Sequence, residues 1–136
     1  MIDDILPRNR DEAARARLTR AWTGDVYKLL GVFEQHRPDL ITLRVGADPT
    51  GVLLVLNPDP ASTALNARYD EISEAIVTPD PQEVPDAILQ REDVLDPEQV
   101  LKASFWKTLN DEKASPDKLR KAVKRSFGKG LSRLFG

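Results

Sequence analysis

Apolar residues recur at Ala14, Leu18, Ala21/Trp22, Val26, Leu29/Leu30 and Phe33, in steps of three and four. That spacing predicts a helix from Asp11 to Gln35. Arg15, Arg17, Arg20, Asp25, Lys28 and Glu34 fill much of its other side. Arg37-Pro38 stops the run, because a residue before proline is pushed out of helical backbone. Gly24 and Gly31 weaken such a helix by about 1 kcal/mol each, or let another element approach closely.

The period then changes to two. Leu40, Thr42 and Arg44 alternate with Ile41, Leu43 and Val45, while Val52 to Leu56 is apolar throughout. The pair predicts a β-hairpin over about 40–56, its first strand an edge and its second covered on both faces or central in a sheet. Between them, Ala47-Asp48-Pro49-Thr50-Gly51 carries type I turn chemistry, with Asp, Pro and Gly at its first, second and fourth positions. Two strands alone are marginal. A third is expected from Glu74 to Thr78, from Ala87 to Val94, or from the hairpin of another subunit.

Asp59-Pro60, Asp96-Pro97 and Ser115-Pro116 each place a capping side chain before a proline suited to a first helical turn. Gln99, three beyond Asp96, makes a capping box. Three helices are predicted. The first spans Pro60 to Ile76, with Ala61, Leu65, Tyr69, Ile72 and Ile76 as its stripe. The second spans Pro97 to about Leu109, with Leu101, Phe105 and Leu109 inward. The third runs from Pro116 towards Leu134. Thr78 to Asp96, holding Pro79, Pro81 and Pro85, reads as an acidic loop with a short helical turn around Ala87 to Arg91. The class is therefore α+β: an N-terminal helix, a hairpin, then three further helices. A compact domain over 1–114 is expected, with 115–136 as a basic amphipathic helix or tail, within that domain or appended to it.

Charge is segregated along this order. Between Asp39 and Leu101 lie 13 Asp or Glu against Arg44, Arg68 and Arg91. From Leu101 to Gly136 lie ten Lys or Arg against Asp111, Glu112 and Asp117. The formal net charge of -2 hides the split. Cysteine is absent, which removes disulfides, thiolate catalysis and thiolate metal sites. The acidic start MIDDILPRNR lacks the apolar segment of a secretory signal, and no run of about 18 apolar residues exists. With a residue usage common in GC-rich bacterial genomes, these features lead to the expectation of a bacterial cytoplasmic protein.

The strongest candidate for function is Ser115 to Phe135. Leu119, Val123, Phe127, Leu131 and Leu134 share one helical face. Lys118, Lys121, Arg125, Lys129 and Arg133 share the opposite one, with Arg120 and Lys124 at the border. Such helices bind acidic proteins, nucleic-acid backbones or anionic membranes, in that order of expectation here, or are simply last core helices with a wet outer face. Gly128 and Gly130 together cost a helix about 2 kcal/mol. The partner-binding set is Lys118, Arg120, Lys121, Lys124, Arg125, Phe127, Lys129 and Arg133. Arg8, Arg10, Arg15, Arg17 and Arg20 form a second basic cluster, which supports nucleic-acid binding if it shares a face with the first.

No catalytic signature emerges, and neither enzymatic activity nor a cofactor is expected. The expected function is a small non-catalytic binding protein that acts through the C-terminal helix and an acidic central surface, Asp70 to Glu98, which binds a basic partner or receives the helix within the same chain. Gly46 to Gly51 has the glycine spacing of a phosphate loop but lacks the Lys and Ser/Thr that complete one. Asp70 and Glu74 share a helical face within reach of one hard cation, without any calcium-loop pattern, so they read as a wet surface. His36, the only histidine, ends the first predicted helix. Trp22 and Trp106 read as anchors of two facing helices.

Overall fold

The computed structural model describes residues 1–128. Three antiparallel strands form one sheet in the order β1-β3-β2, with β1 at Ile2–Asp3, β2 at Ile41–Val45 and β3 at Val52–Leu56. The hairpin is the predicted one, and its fully apolar strand β3 is central. The third strand comes from the N-terminus, with Ile2 opposite Leu53 and Asp3 opposite Val52. It comes from neither stretch foreseen: Glu74 to Ile76 lies within α2 (Tyr69–Ile76), and Ala87 to Leu89 within α3 (Asp86–Leu89). The hairpin turn closes through the Gly51 N–H to the Ala47 carbonyl at 2.8 Å, around a cis Asp48–Pro49 bond that differs from the trans proline of a type I turn.

Side chains alternate across a strand, so the sheet buries two different sets. Ile41, Leu43, Val45 and Leu56 face one core with Val100, Phe105, Leu119, Ala122 and Val123. Leu53 faces the other with Ile5, Leu6, Ala13, Tyr27, Leu30, Val84 and Ile88. The molecule is therefore three layers. Above the sheet lie α4 (Pro97–Lys102), α5 (Phe105–Leu109) and α6 (Pro116–Phe127). Below it lie the N-terminal segment, α1 (Leu29–His36) and α3.

The long N-terminal helix does not form. Only α1 and the preceding 3₁₀ turn at Val26–Lys28 are helical. The backbone groups that a helix over Asp11 to Asp25 needs are taken by other partners. The Glu12 carbonyl accepts from the N–H groups of Thr23 (2.9 Å) and Gly24 (3.1 Å). The Ala14 carbonyl accepts from Trp22 Nε1 at 2.7 Å. The Asp80 carboxylate accepts from the N–H groups of Arg15 (2.9 Å) and Ala16 (3.0 Å). Gly24 sits at φ +63°, outside helical space. Ala13 and Ala14 are buried all the same, as small residues under a loop, whereas Leu18 is 64% exposed.

The later helices are shorter than predicted. Asp59 Oδ1 accepts from the Ala61 N–H at 2.9 Å, but the chain then turns, and helix begins with a 3₁₀ turn at Asn66–Arg68 leading into α2. Of the expected stripe, Ile72 is buried and Tyr69 is exposed. Asp96 caps α4 through the N–H groups of Glu98 and Gln99, as its position foretold. Ala103 then adopts extended backbone and splits the predicted helix into α4 and α5. The break rotates the register: Val100 is buried, and Leu101, expected inside, is 75% exposed.

Candidate functional site

Helix α6 starts where the sequence places it. The Ser115 hydroxyl accepts from the Lys118 N–H at 3.2 Å, and Pro116 occupies the first turn, where a missing N–H costs no bond. Leu119, Ala122 and Val123 are buried against β2, β3 and α5, and Phe127 packs 5.8 Å from Phe105, ring centre to ring centre. Gly128 ends the helix at φ +65°, with its N–H on the Lys124 carbonyl. The stretch Pro116–Phe127 is thus a core helix with a wet outer face. Lys129 and Arg133 lie outside the described residues.

That wet face carries the cations. Lys118, Lys121, Lys124 and Arg125 are exposed, while Arg120 and Phe127 are half-buried at its margins. Lys118 Nζ lies 3.3 Å from Asp111, whose carboxyl is held below its usual range by the Lys113 N–H first and Lys118 next. Arg120 donates to the Asp39 carbonyl at 2.9 Å. The Asp39 carboxyl is itself held low, chiefly by its hydrogen bond from Arg37 and in smaller part by Arg120. Among the described residues, Lys121 and Arg125 make no ion pair.

An open groove borders this face at its C-terminal end. It measures about 810 Å³ and runs between Leu95, α4, Ser104 and the last turn of α6, where Arg125 and Phe127 line it. Two acids share it, each already engaged: Asp96 caps α4, and Glu98 pairs with Lys102 at 3.1 Å. Reading the sequence missed this groove, because the break at Ala103, which lines it, interrupts the helix predicted there. No local signal announces that break.

The second basic cluster lies elsewhere. The N-terminal segment that carries the arginines packs through Ile5, Leu6 and Ala13 below the sheet, and α6 packs above it. Arg8 pairs with the buried Glu12, and Arg15 with Asp25 at 2.8 Å. The carboxyl of Glu12 is held low mainly by the Arg8 hydrogen bonds. The two clusters are therefore not brought together.

The other candidates disperse in the same way. Gly46 to Gly51 is the hairpin turn, as read. His36 ends α1 with Nδ1 3.4 Å from the Arg68 guanidinium. Trp106 donates to the Val100 carbonyl at 2.7 Å, but Trp22 lies in the N-terminal loop and faces no helix partner of Trp106. Among the described residues no three His, Cys, Asp or Glu gather as metal ligands, and no helix is long and apolar enough to cross a membrane. Comparison with known proteins finds no matching family, no matching curated protein and no matching solved structure.

Proposed function

We propose that the chain is a small non-catalytic binding protein, an adaptor, inhibitor or assembly factor, whose α6 face docks an acidic surface of a partner protein. One observation carries the reading. Leu119, Ala122 and Val123 root α6 in the core, so Lys118, Lys121, Lys124 and Arg125 project from a helix that is already fixed. Charges held on an ordered element lose little conformational freedom on docking, which favours their use as a recognition surface. The neighbouring groove, with Phe127 in its wall, offers an apolar foothold beside them.

The test is a double charge reversal, Lys121→Glu with Arg125→Glu, in protein purified from its native cells. Wild type is expected to elute with a second protein in fixed stoichiometry, and the variant alone, with melting temperatures equal within about 2 °C. Wild-type material that elutes alone at every salt concentration refutes the reading.

A nucleic-acid backbone is the alternative partner, favoured by the cations of a single helix. It has α6 without the N-terminal arginines, which lie below the sheet. Binding to duplex DNA or RNA that weakens steeply with salt supports this alternative.

A further inference from the structure

A groove with an apolar floor lies on the far side of the sheet from α6, between α1, α2 and α3. It measures about 670 Å³. Ile76 of α2 is half-buried in its apolar wall, over the buried Ile72, Ile88 and Leu30. Its cations are already engaged. Lys28 Nζ pairs with Asp25 at 3.5 Å and donates to the Ile76 carbonyl (2.6 Å) and the Thr78 hydroxyl (2.8 Å), and Arg44 pairs with Glu34 at 3.1 Å. Glu83 and Asp93, which also line it, have carboxylates with no hydrogen bond or ion pair among the described residues. The groove is therefore apolar inside and acidic in its unspent charge.

Gly31 adds an independent sign. It sits inside α1, where glycine is a poor helix former. It lines the groove, and a Cβ built there meets no heavy atom within 4 Å. Nothing described in the fold needs that glycine. The missing side chain would let the axis of a second helix come closer there.

We propose that this groove is the docking site for a basic amphipathic helix of a partner protein. Its backbone would cross α1 at Gly31, its apolar stripe would rest on Ile76 and the exposed margins of Ile72 and Ile88, and its Lys or Arg would meet Glu83 and Asp93. The inference rests on the binding-protein reading, gives it a second and acidic docking surface, and is independent of α6. Apolar anchors at helical spacing in a hydrophobic groove are an established mode of peptide recognition.

The probe is a labelled Leu/Lys peptide of about 14 residues, roughly 21 Å long as a helix, titrated onto the full chain by fluorescence anisotropy. Binding is expected with a Kd on the order of 10 µM. Its scrambled and Glu-for-Lys versions are expected to bind at least about tenfold more weakly. Glu83→Lys with Asp93→Asn should weaken the probe roughly tenfold; Asn suits the positive φ at position 93. Gly31→Ala should raise the melting temperature while weakening the probe about tenfold, a combination that charge attraction alone does not give. Lys121→Glu should leave probe binding unchanged, which separates this proposal from the α6 reading. Equal binding of the scrambled peptide, or full affinity in Gly31→Ala, overturns the proposal. So does a groove that opens to the probe only when Lys129 and Arg133 are changed to Glu, since the occupant is then this chain's own terminus.

Discussion

Leu95 lies beside Val45 in an isolated parallel bridge, its N–H on the Arg44 carbonyl and its carbonyl on the Gly46 N–H, both at 2.8 Å. Its neighbour Val94 packs into the lower core and Leu95 itself into the upper one. The chain thus passes the edge of β2 between two residues. The acidic stretch with α2 and α3 lies before this crossing, and α4 to α6 with their cations lie after it. The cations of α6 thus lie across the sheet from α3, while the N-terminal arginines share the side of α3, and Asp96 and Glu98 share the side of α6.

Leu95→Pro removes the donor to Arg44 and is expected to destabilise by about 2–3 kcal/mol, as loss of a bridge bond plus local misfit. Urea unfolding measures it. A loss under about 0.5 kcal/mol would mean that the bridge is incidental.

Gly51 is required by packing as well as by backbone. It sits at φ +69°, and a Cβ there would lie 2.6 Å from Leu6 Cγ, a side chain with no exposure at all. Gly51→Ala is expected to cost more than about 2 kcal/mol, because positive φ and overpacking add. Thermal denaturation reads the result.

The break at Ala103 makes an asymmetric prediction. Val100→Ala should cost about 2 kcal/mol, since Val100 is 3% exposed in the upper core. Leu101→Ala should stay within about 0.5 kcal/mol. An unbroken helix with Leu101 inward predicts the reverse order, so the two unfolding curves decide between them.

Deleting residues 116–136 should abolish cooperative unfolding, because it strips Leu119, Ala122 and Val123 from the sheet. Hydrophobic docking is little screened by ions, whereas surface ion pairs are. The defect should therefore be the same at about 0.1 M and about 1 M NaCl, where the Debye length falls from about 10 Å to about 3 Å. Recovery of the deletion variant, or a defect that shrinks with salt, would show charge to be the main anchor.

Acid should loosen the N-terminal segment. The Asp80 carboxyl is held low by the Ala16 N–H first, then by Gln82 and the Arg15 N–H. Glu12 is held low by Arg8. A carboxyl with a lowered folded pKa contributes stability that is fully present above its unfolded value, near 4, and is lost as pH falls through the folded value. Stability should be flat above about pH 5 and fall below about pH 4. Asp80→Asn should flatten that acid limb, and amide exchange at Arg15 and Ala16 should rise in the variant at neutral pH.

Local chemistry was readable without coordinates. The hairpin came from period-two alternation and a Pro-Gly turn, both carried by adjacent residues. The cap at Asp96, the cap at Ser115 and the amphipathy of α6 came from side chains within three or four positions of one another. The face on which Lys118, Lys121 and Arg125 stand was legible for the same reason.

Tertiary structure alone decided the rest, because the deciding partners are far apart in the chain. Strand β1 exists because Ile2 meets Leu53, and two residues have no periodicity to read. Asp11 to Asp25 has a helical pattern but stays irregular, because Thr23, Trp22 and Asp80 take its backbone groups. The register of α4 turned at Ala103 to bury Val100 and Phe105 together. A sequence specifies which groups seek burial or a hydrogen bond; which distant group satisfies them is settled by how the whole chain packs.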